Sequence, residues 1–418
     1  SRRNAATRST GSGPISSIAP CSDLLAATRL RQLTRGTPHE YELTIPALNS
    51  VQTRGMRNRN KLKHLLFWLM PCTMILSACA VTVSPLPSLA LAAEESPTKT
   101  DRYIQWLGTS SWILSSGNDL VVVDPFFTRP SFVRMTASLM LPYLTSNFAY
   151  DPERIKAVLP ELPKDTKFVL LTHAHYDHLL DVPYYINQNS GRSITYVGSL
   201  TARNILLGFK PPALDFVVAE QKPSVKKGRV RVTALPSDHA PHFFGHTFMA
   251  GEVGSPMTSI PSRVGQYLEG QTLVFLVDFL DDQERVVWRI FINGAANSAA
   301  GAEALRNHQS LLNEHRINVA ILCVPGWDKV DDYPDTLLRL LRPENIVLSH
   351  YDDFGSPYTP GEDPNNGMRF LPFANYDRFI ERLKLFDTSN NYGYSIHQPK
   401  TGQCIFFPDS YSKASCQQ

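Results

Sequence analysis

The run Thr172-His173-Ala174-His175-Tyr176-Asp177-His178 constrains this chain more than any other feature. It places four ligand-type side chains directly behind the apolar stretch Phe168–Leu171, which reads as a buried strand. Four such groups cannot all point to one side of a regular strand, but they can converge on a turn at its end. His173 and His175 share a face because strand side chains alternate with period two. Asp177 and His178 lie beyond the strand, where a new helix can redirect them. Imidazole and carboxylate suit Zn²⁺ and leave a position open for water. A lone histidine here would more often be a packed or surface residue, and four groups at this spacing reverse that expectation.

The rest of the chain must therefore present strand ends to a common site. Short strands are expected at Tyr103–Leu107, Ser111–Leu114 and Leu120–Val123, and an irregular region over residues 125–165. Strands at Ile194–Val197, Phe216–Val218 and Val230–Leu235 follow, with helices over 179–188 and Leu200–Leu207. Further strands are read at Gln266–Leu268, Leu273–Val277 and Val286–Ile292. Helices over Ala302–Glu314, Pro334–Leu341 and Tyr376–Leu385 then alternate with strands at Val319–Val324, Ile346–Leu348 and Tyr394–Ile396, and Cys404–Phe407 closes the pattern. Blocks of strands interleaved with strand–helix alternation suit two packed sheets with helices outside, an α/β sandwich.

The pattern His-x-His-x-Asp-His resembles the signature of the metallo-β-lactamase superfamily. His-Tyr-Asp-His-Leu is especially similar to its phospholipase D-like and lactonase-like branch. The resemblance implies a four-layer αββα sandwich and a zinc-dependent hydrolase holding one or two Zn²⁺. Val121-Val122-Val123-Asp124 matches an early strand closed by an acid that orients a ligand histidine. Ser237-Asp238-His239 matches a third histidine after a later strand, with His242 and His246 as rivals and His239 favoured because it lies nearest the strand end. Ile346–His350 matches a last histidine after a core strand. The implied sets are His173, His175 and His239 for one metal, and Asp177, His178 and His350 for the other. Asp177 and His239 are the implied catalytic residues, with zinc-activated water attacking an ester, lactone or phosphodiester. One element departs from the family pattern: Ala295 in Phe291-Ile292-Asn293-Gly294-Ala295 stands where a metal-bridging Asp is usual. That departure motivates the alternative of a degenerate metal- or ligand-binding protein of the same fold without turnover.

Three regions are expected: an extension over 1–55, a signal and tether over 56–100, and the folded domain over 101–418. After Met56 a basic flank, Arg57 to Lys63, precedes the uncharged run 65–78, the layout of a secretory signal. Leu76-Ser77-Ala78-Cys79 resembles a bacterial lipobox, which makes Cys79 the expected lipidation site. Ala90-Leu91-Ala92 offers an ordinary cleavage site instead, and an uncleaved span is a third reading. Export is common to all three, as an anchored lipoprotein facing periplasm or exterior or as a secreted protein. A formal charge of +3 over 418 residues gives no case for a nucleic-acid partner. The six cysteines form no metal-finger spacing. The Phe- and Met-rich segment 126–150, together with a membrane anchor or signal segment, points to a small-molecule or lipid-like substrate.

Overall fold

The computed structural model describes residues 102–407, apart from 142–146, 243–244 and 372–373. The extension 1–55 and the signal and tether over 56–100, with Cys79, lie outside the described residues. Among the described residues no helix is long and apolar enough to cross a membrane.

The strands in chain order are β1 Arg102–Trp106, β2 Trp112–Ser116, β3 Asp119–Val123, β4 Thr166–Leu170, β5 Thr195–Gly198 and β6 Phe216–Val218. They continue as β7 Ser224–Lys227, β8 Val230–Ser237, β9 Thr272–Leu280, β10 Val286–Asn293 and β11 Val319–Cys323. The last three are β12 Asn345–Ser349, β13 Ser395–His397 and β14 Cys404–Phe406. They form two seven-stranded sheets, ordered β14-β1-β2-β3-β4-β5-β6 and β13-β12-β11-β10-β9-β8-β7. In the first, β1 to β3 pair antiparallel and β3 to β6 pair parallel. In the second, β7 to β10 form an antiparallel meander and β10 to β13 run parallel.

Period-two alternation builds the layers. Val121, Val123, Phe168 and Leu170 point into the core shared with the second sheet. Val122, Val169 and Leu171 point the other way, against Tyr185 and Ile186 of the helix Val182–Gln188 and Ile205 of the helix Leu200–Leu207. On the outer side of the second sheet, Phe379, Ile380 and Leu383 of the helix Tyr376–Asn390 join the same core as Ile346 and Leu348. Two mixed sheets face each other with helices outside, the αββα sandwich.

Two local expectations are corrected, and one strand is added. Residues 125–165 hold two helices, Phe132–Met140 and Pro152–Val158. Their caps explain them: the Ser131 hydroxyl accepts from the Arg134 amide, and Asp151 accepts from the Glu153 and Arg154 amides with Pro152 opening the helix. The expected strand at Gln266–Leu268 is a 3₁₀ turn, Val264–Gln266, whose start is held by the Gln266 side chain accepting from the Ser262 and Arg263 amides. Strand β7, Ser-Val-Lys-Lys, escaped the reading because it is an edge strand with alternately exposed polar residues.

Candidate metal centre

Each candidate ligand, and the supporting Asp124, follows the C-terminal end of a strand: Asp124 after β3, His173 to His178 after β4, His239 after β8, and His350 after β12. Backbone bonds stitch the two sheets together at this end. The Leu273 amide donates to the Thr172 carbonyl at 2.7 Å, and the His350 amide to the Thr109 carbonyl at 2.9 Å. Gly294 lies so close to Thr172 that a Cβ there would come within 2.2 Å of the threonine hydroxyl, so the loop after β10 can close on the site only with glycine. Asp124 and His350 both have left-handed backbone, with φ of 39° and 65°. Non-glycine residues hold such conformations only where surrounding contacts over-determine them.

Beyond β4 the chain bends at Thr172 and runs without regular structure to His175, which directly precedes the single-turn helix Tyr176–Leu179. That turn swings Asp177 and His178 away from His173 and His175. Two clusters result, His173–His175–His239 and Asp177–His178–His350, with the ligand atoms of each within 4.8 Å of one another. They adjoin, since the His173 and His178 ring centroids are 3.8 Å apart. Of the three rival histidines, His239 joins the first cluster. The His246 ring is exposed, and its carbonyl accepts from the His242 amide. Ala295 is buried in the loop after β10.

The clusters suit a metal on grounds internal to this structure. The buried Nε2 atoms of His173 and His175 and the buried Nδ1 of His350 have no hydrogen-bond partner among the described residues. A buried polar atom left so costs about 1–3 kcal/mol, and an ion would satisfy it. Where partners exist, they fix the tautomer. His239 Nδ1 donates to the Ala240 carbonyl at 2.7 Å, which leaves Nε2 with its lone pair. His178 Nδ1 does the same toward Asp124 Oδ2 at 2.8 Å. Asp124 also accepts from the Thr172 amide at 2.9 Å and the Thr172 hydroxyl at 2.6 Å. Partners of this kind orient a ligand ring and raise its basicity.

Electrostatics favour the ligand forms. Burial pushes the pKa of His173 and His239 well below the ordinary imidazole value and lowers that of His175 to about 3. All three rings are neutral near pH 7 and offer lone pairs. At Asp177 burial works against the charge, but His178 and His350 outweigh it and hold the carboxyl below the usual carboxylate range. At His178 burial opposes the cation, while the charges of Asp124 and Asp177 raise the pKa overall. His350 Nε2 lies 3.2 Å from Asp177 Oδ2.

Several supporting residues were not singled out from sequence. Asp181 is fully buried and accepts from the Phe127 and Thr128 amides and the Thr128 hydroxyl, pinning the loop after Asp124. Burial raises its pKa to about 6 against those hydrogen bonds. Arg129 and Asp352 form a buried ion pair at 2.5 Å, and Asp352 also accepts from the Thr109 amide. Asp238 accepts from the Ser298 amide and hydroxyl, tying the loop before His239 to the loop after β10. An acid buried just beyond a histidine motif is a sequence signal for Asp181, but nothing local marks Arg129 or Asp352 as partners 223 residues apart.

Comparison with known proteins gives one family match and several structural likenesses. Residues 103–253 match the family described as the beta-lactamase superfamily domain. The chain is similar to the structure of Igni18, a metallo hydrolase from the archaeon Ignicoccus hospitalis, at 17% identity over 74% of this chain and 99% of that one, TM-score 0.42. It is similar to an isothiocyanate hydrolase from Delia radicum gut bacteria at 15% identity over 73% of this chain and 99% of that one, TM-score 0.41. It is also similar to CmlA, a diiron beta-hydroxylase from Streptomyces venezuelae, at 12% identity over 75% of this chain and 55% of that one, TM-score 0.41. No curated protein matches the chain.

Proposed function

We propose that this chain is a metal-dependent hydrolase that uses zinc to cleave an ester, lactone or phosphodiester of a small or lipid-like molecule. The observation that carries the reading is the pair of adjoining three-residue clusters with unpartnered buried imidazole nitrogens. His173, His175 and His239 would hold one ion, and Asp177, His178 and His350 a second. An ion so held supplies Lewis acidity and a source of hydroxide at neutral pH.

The chain's own residues do the rest. The carboxylate of Asp177, ionised beside His178 and His350, accepts a hydrogen bond from the attacking water and sets its direction. Asp124 and the Ala240 carbonyl hold His178 and His239 in one tautomer. In the net reaction a water oxygen bonds to the acyl carbon or phosphorus, the ester bond breaks, and the proton leaves on the departing oxygen. Phe126 and Phe148 pack edge-on against Tyr176, and Phe354 edge-on against His350, as buried aromatic support beneath the site. An anchor at Cys79 would set such a protein beside lipid-like substrates outside the cytoplasm.

Elemental analysis of the purified chain, followed by turnover of bis(4-nitrophenyl) phosphate and a simple lactone, tests the reading. One or two zinc ions per chain with turnover lost on chelation is the expected result. Bound metal without turnover would favour the second reading, a binding protein, for which buried Ala295 is the motivating observation. Absence of any metal after zinc is offered would defeat the hydrolase reading and leave the second one only as a ligand-binding protein.

A further inference from the structure

His242 lies beside the first cluster without belonging to it. Its ring stacks on His239 at 4.8 Å with an interplanar angle of 22°, and its centroid is 5.6 Å from that of His175. The backbone around it is fixed: the His242 amide donates to the His246 carbonyl, and the His242 carbonyl accepts from the Lys329 ammonium. The side chain is fixed too. The Phe248 amide donates to His242 Nδ1 at 3.1 Å. Because Nδ1 accepts, the proton of the neutral ring must sit on Nε2. The ring is only half-buried, and Nε2 has no partner among the described residues. It is not one of the buried unsatisfied atoms, unlike the Nε2 atoms of His173 and His175. A donor has been set in one tautomer, aligned by stacking, and left accessible next to the clusters.

We propose that His242 is a substrate-binding and catalytic residue, whose Nε2–H donates a hydrogen bond to an oxyanion of the substrate at the metal centre. This rests on the hydrolase reading and names the chemistry it selects: a phosphate-like or carboxylate-like oxygen that carries negative charge in the transition state. A donor held in place before the reaction costs no reorganisation as that charge develops. The role needs the neutral ring only, and no proton leaves it. Its neighbours assign the remaining tasks, since His239 and His175 would hold the ion.

The test uses the zinc-loaded full chain, inorganic phosphate as probe and isothermal calorimetry as readout. His242→Ala should weaken phosphate binding about tenfold, the worth of one hydrogen bond to a charged group. His242→Gln, which retains an N–H donor, should recover part of the loss. Zinc per chain should match wild type in both. Unchanged phosphate affinity in His242→Ala, or no phosphate binding by wild type, would overturn the proposal. Loss of zinc in both variants would also overturn it, since His242 would then be a ligand. If phosphate binds as expected but no ester or phosphodiester turns over, the hydrolase reading fails while the hydrogen-bond assignment stands.

Discussion

Asp124 Oδ2 accepts from His178 Nδ1 at 2.8 Å, and the same carboxylate takes both the amide and the hydroxyl of Thr172. One buried acid thus sets the tautomer of a candidate ligand and holds the strand end from which the other ligands depart. Asp124→Asn keeps the shape but offers only one accepting oxygen. With the amide nitrogen toward His178, Nδ1 must accept and the proton moves to Nε2, which removes the lone pair aimed at the metal. The expected result is a 10–100-fold loss of zinc affinity at one site, read by titration against a competing chelator. Unchanged stoichiometry and affinity would mean that the hydrogen bond does not orient the ligand.

His175 directly precedes the single-turn helix, and its Nε2 is buried with no partner among the described residues. His175→Ala removes that nitrogen and a member of the first cluster. The variant is expected to lose at least one zinc and all turnover while keeping its far-ultraviolet circular dichroism. Retention of full zinc content would refute the placing of the first site.

Much of this was legible because the informative signals are local. Strand β4 and the ligand run behind it are contiguous, so period two and the break in it were enough to pair His173 with His175 and set Asp177 with His178. The apolar strands β9 and β10 read clearly for the same reason, although both extend further than their apolar runs suggest: β9 carries the buried Asp278, neutralised by Arg289 of β10 at 2.5 Å. What escaped depends on distant partners or on caps. The helix Phe132–Met140 is only nine residues long, and its start depends on the cap that Ser131 provides. Nearness to the strand end favours His239 over His242 as a ligand, but spacing does not give His242 its own role, because the Phe248 amide and the stacking that decide it come from the folded loop.

The metal-free chain should lose stability as pH falls from about 6.5 to about 4. His173, His175, His239 and His242 all have pKa values depressed chiefly by burial, with His175 at about 3 and His242 at about 4. Below about 6.5 the unfolded chain gains protons that the folded chain refuses, and each such group removes about 1.4 kcal/mol per pH unit. Some groups run the other way. Burial pushes Asp181 up to about 6 and raises Glu269 and Glu362, so these favour the folded state as pH falls through this range. The raised pKa of His178 acts above about 6.5, and its contribution is already complete there. Burial also lowers His397, and the four large depressions leave a net fall. Thermal unfolding of the chelator-treated chain across this range checks it, and a flat Tm would contradict the neutral-histidine assignment.

The ion pair between Arg129 and Asp352 is the last structural commitment at this end of the sandwich. Both side chains are only 1% exposed, and the guanidinium also lies over the Tyr358 ring. Asp352 accepts from the Thr109 amide as well, and the Thr109 carbonyl holds the His350 amide. The pair therefore ties the loop carrying His350 to the loops after β1 and β3. Removing the acid leaves a buried cation with no counter-charge, whereas exchanging both partners for apolar groups would spare that cost. Asp352→Asn is expected to lower stability by about 3–5 kcal/mol, measured by urea unfolding, and to weaken the second zinc site more than the first because His350 loses its anchor. A loss below about 1 kcal/mol would mean that the pair behaves like a surface salt bridge, and equal weakening of both sites would mean that the tie does not act through His350.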